Sequence, residues 1–154
     1  MPHVPGLRSP HAKVGRLVFF GRMLDKIRLN AAGELPPAYC ENLGDQSFPN
    51  VFDARCCRFL GVTHAAITER TLAGGSDEDV LAWAHETGGS RTDEQCEIWN
   101  AFMLKRGWRD GASALVQQRI QQFGLVGKPI ETMFDVLDWD EGRDPVLERE
   151  KAGL

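Results

Sequence analysis

Apolar residues along this 154-residue chain recur mainly at the spacing of an α-helix, in short segments that glycine and polar residues separate. No two segments alternate between polar and apolar residues as paired strands would. Ser76 before three acidic residues and Thr92 with Gln95 are typical helix-capping patterns. The sequence therefore predicts an all-α fold class, a compact single-domain array of about seven helices. After the first helix, the predicted helices cover 50–60, 63–73, 77–87, 93–106 and 110–123, and a last one that Pro129 opens.

The first predicted helix is the longest. Ser9 can cap it, Pro10 fits its first turn, and the helical pattern then runs over 12–32 until Gly33. Its apolar residues fall on two faces, so both faces need cover and we expect a central helix. Residues 34–49 follow with three prolines and no regular period, which predicts one long loop after the first helix.

Composition predicts one globular domain over residues 1–154, with a core at 7–143 and flexible ends at 1–6 and 144–154. Hydrophobic residues make up 42% and charged residues 26% of the chain, which disfavours disorder. The longest apolar run, at 17–20, is far too short to span a membrane, and no secretory leader is recognisable. We therefore expect a cytoplasmic protein without a membrane partner.

No metal or cofactor is predicted. The four cysteines include no Cys-x-x-Cys pair, and the four histidines lack the spacing that places two ligands on one helical face. The neighbours Cys56 and Cys57 would point about 100° apart on a helix. We interpret the thiols as reduced and mostly buried.

Charge is distributed unevenly along the chain. Residues 1–30 carry six Lys or Arg and one Asp, whereas residues 131–150 carry eight acids and two Arg. A basic arm for nucleic acid is one interpretation, which the net charge of -4 makes unlikely. We favour the other, in which the two ends lie together in the fold and neutralise each other.

The densest polar cluster lies in the first predicted helix, at Arg22, Asp25, Lys26 and Arg28. Asp25 is three residues from each arginine, so on a helix its carboxylate can reach a guanidinium on either side. Two neighbouring cations would keep Asp25 ionised and suit it to orienting an arginine toward an anion. A structural ladder of ion pairs explains the same pattern, and both interpretations stay open.

The long loop adds Tyr39 and Cys40 to this cluster, and Cys40 is a candidate nucleophile although no histidine is near it in sequence. The first hypothesis is therefore a small anionic molecule bound, or acted upon, in a pocket between the first helix and residues 34–49. Its candidate residues are Asp25, Lys26 and Cys40 for catalysis and Arg8, Arg22, Arg28 and Tyr39 for ligand binding.

The alternative hypothesis is a helical interaction or homodimerisation module without chemistry, in which charges set the complementarity of the surfaces. It predicts an exposed apolar patch in place of a pocket. The residues on their own specify no reaction under either hypothesis.

Several stretches resemble a bacterial family of small proteins known only as a domain of unknown function, and they occur in family order over roughly residues 7 to 143. They are Leu7-Arg8-Ser9-Pro10, Arg22-Met23-Leu24-Asp25-Lys26, 52–61, Gly75-Ser76-Asp77-Glu78, Trp99-Asn100, Lys105-Arg106-Gly107-Trp108 and Asp140-Glu141-Gly142-Arg143.

The resemblance implies a bacterial cytoplasmic protein and brings no reaction with it. The polar positions of the family that fall on Arg8, Asp25, Lys26 and Arg28 favour a shared pocket. Gly21 departs from the pattern, because relatives are expected to carry proline there, and we expect the first helix to run straighter for it.

Overall fold

The computed structural model describes residues 3–45 and 50–154 of the chain. Nine helices and one two-stranded ribbon are found in these ranges. The elements are β1 (Lys13–Val14), β2 (Leu17–Val18), α1 (Phe20–Ala31), α2 (Pro37–Cys40), α3 (Phe52–Leu60), α4 (His64–Leu72), α5 (Asp77–Gly88), α6 (Asp93–Lys105), α7 (Ser113–Gln122), α8 (Met133–Asp140) and α9 (Pro145–Lys151).

The start of the first helix was predicted wrongly. α1 begins at Phe20, and Ser9 does not cap it, because the Ser9 hydroxyl donates to Asp138 and accepts from the backbone N–H of His11. The residues between form an antiparallel ribbon in which β1 pairs with β2 across a turn at Gly15, where φ is +57°. The protein is therefore mostly α-helical and not strictly all-α.

The helix boundaries that caps mark are confirmed. Ser76 and Asp79 form a capping box at the start of α5, and Thr92 and Gln95 form one at the start of α6. The last predicted helix does not begin at Pro129, because a third capping box, of Thr132 with Asp135, starts α8.

Two short helices lie where none was expected, so the count of about seven is exceeded. α2 interrupts the predicted long loop, with Pro37 in its first turn. α9 occupies much of the predicted flexible tail, where Asp144 caps it and Arg149 pairs with Asp135 of α8 at 2.8 Å.

α1 is the central helix, and nine of its twelve residues are buried. Phe19, Phe52 and Phe134 pack ring against ring beside it, with centroids 5.5 to 6.2 Å apart. α4, α5 and α6 cover the rest of this core, which explains why the sequence of α1 is apolar on two faces. No helix within residues 3–45 and 50–154 is long and apolar enough to cross a membrane.

Gly21 lies in the first turn of α1, not in its interior. Proline is tolerated in a first turn, so the residue type at this position does not decide whether the helix bends, and the expectation of a straighter helix has no basis. A Cβ at Gly21 would lie 2.8 Å from the guanidinium carbon of Arg8.

Candidate functional site

The charged residues of α1 have different ion-pair partners. On one side, Arg8 donates from Nε and Nη2 to both carboxylate oxygens of Asp25, at 2.8 and 2.9 Å. Asp77, at the start of α5, forms ion pairs with Arg8 and Arg28, whose nitrogens lie 2.6 and 2.7 Å from its carboxylate oxygens. Burial opposes ionisation of Asp77, but the two arginines outweigh it and lower the pKa of this carboxyl.

Asp25 was predicted to contact both Arg22 and Arg28, and only the contact with Arg28 is present. Arg28 lies 3.7 Å from Asp25, as the spacing on the helix allows. Arg22 makes its ion pair with Glu141 instead, and its Nη1 also donates to the backbone carbonyl of Arg8 at 2.9 Å. Arg8 takes the place that was expected for Arg22.

Arg22 and Glu141 form a buried, two-pronged pair, with Nη1 and Nη2 donating to the two carboxylate oxygens at 2.8 and 2.6 Å. The Tyr39 hydroxyl donates to Glu141 at 3.1 Å, and Arg143 donates at 2.7 Å. Burial would raise the pKa of Glu141, yet the hydrogen bonds and charges of Arg22 and Arg143 lower it overall. Burial and the charge of Glu141 raise the pKa of Tyr39, so its hydroxyl stays protonated.

Lys26 forms the next buried pair along α1. Its ammonium donates to Asp53 of α3 at 2.9 Å and to the Asn42 carbonyl at 2.8 Å. The backbone N–H of Gly44 donates to the second oxygen of Asp53 at 3.0 Å. Burial lowers the pKa of Lys26, and the Asp53 charge opposes that shift. This pair ties residues 42–44 to the core.

The two ends of the chain lie together, as their opposite charges predicted. Asp138 accepts from the Ser9 hydroxyl at 3.0 Å and lies 2.7 Å from Nδ1 of His11. Arg143 donates to the carbonyl of Leu7. These contacts, like the pair of Arg22 with Glu141, join the amino-terminal segment to α8.

A cavity of about 610 Å³ opens beside Arg22 and Lys26, and we call it the α7 cavity. Its buried floor holds Arg22, Lys26, Tyr39 and Asp140 among apolar residues, and its partly exposed rim holds Arg106 and Arg119. The described lining residues are Phe19, Arg22, Lys26, Ala38, Tyr39, Glu41, Asn42, Asn50, Val51, Phe52, Arg106, Gly111, Ala112, Leu115, Arg119, Gln122, Phe123, Met133, Val136, Leu137 and Asp140.

The cations in the floor of this cavity are in buried ion pairs, whereas those at the rim have weaker partners. Arg22 and Lys26 are bound to Glu141 and Asp53. Arg119 makes its hydrogen bond to the neutral Gln122, at 2.5 Å, and lies over the Phe123 ring. Arg106 lies 3.4 Å from Asp110, longer than a normal hydrogen bond. Of the described cations in this wall, Arg119 has no carboxylate partner and Arg106 keeps only this longer contact, so these two can accept an incoming anion most readily.

A second cavity, the α4 cavity, has a volume of about 690 Å³ and lies between α1, α4 and residues 43–45. Asp45 and His64 are its titratable residues, and neither Lys nor Arg belongs to its described wall. Burial lowers the pKa of His64, so this imidazole is neutral near pH 7. Despite its size, the α4 cavity offers no cation to an anionic ligand.

The structure brings three of the predicted site residues, Arg22, Lys26 and Tyr39, into the wall of the α7 cavity. The other four do not line it: Arg8, Asp25 and Arg28 belong to the network around Asp77, and Cys40 is exposed on α2. Within the described ranges, no group of three or more His, Cys, Asp and Glu side chains is placed to hold a metal ion.

Sequence reasoning missed Arg106 and Arg119. The cations around Trp108 are visible in the sequence, but their place at the end of α6 also suits the helix dipole, so the pattern does not by itself indicate a ligand. Arg119 is one of several polar residues on the amphipathic α7, and nothing local distinguishes it.

The protein is mostly helical, and its α7 cavity has apolar walls and a floor that contains the ion-paired Arg22 and Lys26. Residues 4–143 match the family model described as a domain of unknown function, DUF5069, and the chain belongs to this family. No curated protein that was compared is significantly similar to the chain.

Proposed function

We propose that this protein binds a small anionic molecule with an apolar body in the α7 cavity. The observation that carries the proposal is the combination of apolar walls with two partly exposed arginines, Arg106 and Arg119, in one concave site. A volume of about 610 Å³ is in the range of small-molecule sites.

The apolar body of the ligand would lie against Leu115 of α7, Phe123 directly after it and Met133 of α8, all of which line the cavity. The anionic group would face Arg119 and Arg106, because Arg119 makes no ion pair with a described carboxylate and Arg106 has only the 3.4 Å contact with Asp110. Glu41 also lines the cavity and Asp140 lies in its floor, so the anion is expected near the arginines and away from these carboxylates.

The proposal is one of binding. Of the three residues predicted as catalytic, Lys26 lies in the wall, where its ammonium already contacts Asp53 and the Asn42 carbonyl. A bacterial cytoplasmic setting, which the family resemblance implied, remains part of the proposal.

Calorimetric titration with 2-naphthoate and its neutral isostere 2-naphthamide tests this function. The two probes share their apolar body, so the proposal expects both to bind with one-to-one saturation and the carboxylate to bind about tenfold more tightly. Arg119→Ala should reduce that preference and leave naphthamide binding unchanged. No saturable binding of either probe would refute the proposal.

A matched pair of variants locates the binding. Leu115 of α7 lines the α7 cavity and Leu72 of α4 lines the α4 cavity, and both side chains are exposed at the surface. Leu115→Gln should lower the affinity for 2-naphthoate, whereas Leu72→Gln should leave that affinity unchanged. The reverse result would move the site to the α4 cavity.

A second candidate function is homodimerisation. The segment that contains α9 exposes Val146, Leu147 and Leu154 to 48%, 52% and 43%, and exposed apolar residues are what an isologous contact uses. Light scattering after gel filtration tests it: a dimer that Leu147→Lys dissociates would support this candidate, and a wild-type monomer would contradict it.

A further inference from the structure

Beside the α7 cavity, one arginine of α3 and one directly after α6 lie against an exposed aromatic ring. The guanidinium carbons of Arg55 and Arg106 lie 5.1 and 5.7 Å from the ring centroid of Phe102, which is 39% exposed on α6. Arg58 follows one turn after Arg55 on α3. We call these four residues the arginine lip.

The positive charge of the three arginines in the lip is only partly compensated, by the single carboxylate of Asp110. Among residues 3–45 and 50–154, no carboxylate lies within 4 Å of Arg55 or Arg58, and Arg106 has the longer contact with Asp110. Burial lowers the pKa of Arg55, repulsion from Arg106 and Arg58 lowers it further, and the charge of Asp110 opposes the shift. Like charges that face one another cost stability until an anion joins them.

The arginine lip is continuous with the α7 cavity. Arg106 belongs to both, since its side chain also lines the cavity wall. Arg55 donates from Nε to the carbonyl of Asn50 at 3.2 Å, and Asn50 is a wall residue as well. A ligand in the cavity can therefore extend a polar group to these guanidinium groups.

We infer that the ligand of the α7 cavity is a phosphate monoester, whose apolar or aromatic body occupies the cavity and whose phosphate binds the arginine lip. This inference rests on the proposed function and specifies the class of its ligand. A carboxylate has two oxygens that one guanidinium can satisfy. A phosphate carries nearly two negative charges and three acceptor oxygens, which suit several arginines.

A comparison of 2-naphthyl phosphate with 2-naphthoate tests the inference on the intact chain. The two probes have the same ring system, so the ratio of their dissociation constants isolates the anionic group. Wild type should prefer the phosphate by about tenfold or more, because extra charged hydrogen bonds form. Arg55→Ala should reduce the preference, because it removes a guanidinium group of the lip and therefore weakens binding of 2-naphthyl phosphate more than binding of 2-naphthoate.

Arg70→Ala is the matched control, because Arg70 lies on α4, away from the lip, and its loss changes the net charge equally. The preference should also fall as the pH is lowered through about 6, where a phosphate monoester gains its second proton. Circular dichroism of each variant establishes that the fold is retained.

The outcomes separate the two proposals. Equal affinity for 2-naphthyl phosphate and 2-naphthoate, or a preference that Arg55→Ala leaves intact, would overturn the phosphate inference and leave the proposed function standing. Binding of neither probe would overturn both. Inorganic phosphate that binds wild type as tightly as 2-naphthyl phosphate would also contradict the inference, because the cavity would then contribute nothing.

Discussion

Arg22 and Glu141 are 119 residues apart in the chain, yet both carboxylate oxygens of Glu141 receive hydrogen bonds from the Arg22 guanidinium. The pair is buried and joins α1 to the end of α8 beneath the α7 cavity. Burial makes such a pair costly to break, because whichever partner remains is a charge without its counterpart.

Removing one partner should therefore destabilise the protein strongly. We expect Arg22→Ala or Glu141→Ala to lower the free energy of unfolding by about 3–5 kcal/mol in urea titrations. Lys151→Ala breaks an exposed pair with Glu148 and serves as the control, with an expected loss under about 0.5 kcal/mol. Similar losses for the buried and exposed pairs would contradict this account.

The pair of Arg22 with Glu141 also predicts that the free energy of unfolding depends on pH. The pKa of Glu141 is lowered in the folded state from its usual value of 4.5, so its stabilising contribution is complete above that pH. It is lost as the pH falls through the folded-state pKa. The stability difference between wild type and Glu141→Gln should be largest near neutral pH and shrink below pH 4.5. A difference that stays constant in acid would contradict the prediction.

Gly88, the last residue of α5, permits the close approach of α3. A Cβ at this position would lie 1.8 Å from the carbonyl oxygen of Leu60, a backbone atom that cannot turn away. Gly88→Ala should cost about 1–3 kcal/mol or more in unfolding experiments, because the two helix ends must separate. A Cβ at Gly111 would have no atom within 4 Å, so Gly111→Ala is the control. Equal effects would disprove the close contact.

The four thiols should differ sharply in reactivity. Cys40 is exposed, whereas Cys56, Cys57 and Cys96 are buried. Burial raises the pKa of Cys56 and raises that of Cys57 to about 12, so little thiolate forms at neutral pH. A disulfide reagent should label one thiol rapidly and the others only on unfolding, and Cys40→Ser should remove the fast phase. Rapid labelling of more than one thiol would contradict the burial.

Local signals account for what the sequence predicted correctly. The starts of α5 and α6 depend on capping boxes that span four residues, and glycines mark several helix ends, so both are readable without knowledge of the fold. The ribbon of β1 and β2 was missed because strands of two residues are too short to display an alternating pattern.

The ion-pair partners of charged residues were harder to predict from the sequence. The spacing of Asp25 and Arg28 on one helix predicted their contact, but nothing near Arg22 in the sequence indicates Glu141. Arg106 and Arg119 come together in one cavity wall only through the packing of α6, α7 and α8. The residues of α1 alone could not indicate this wall.

The most direct test of the central claim is chemical-shift mapping of 2-naphthoate on the isotope-labelled protein. Binding in the α7 cavity predicts that the largest shifts occur at Leu115, Phe123 and Met133. Shifts concentrated at Ile27 and His64 of the α4 cavity, or no saturable shifts at all, would contradict it.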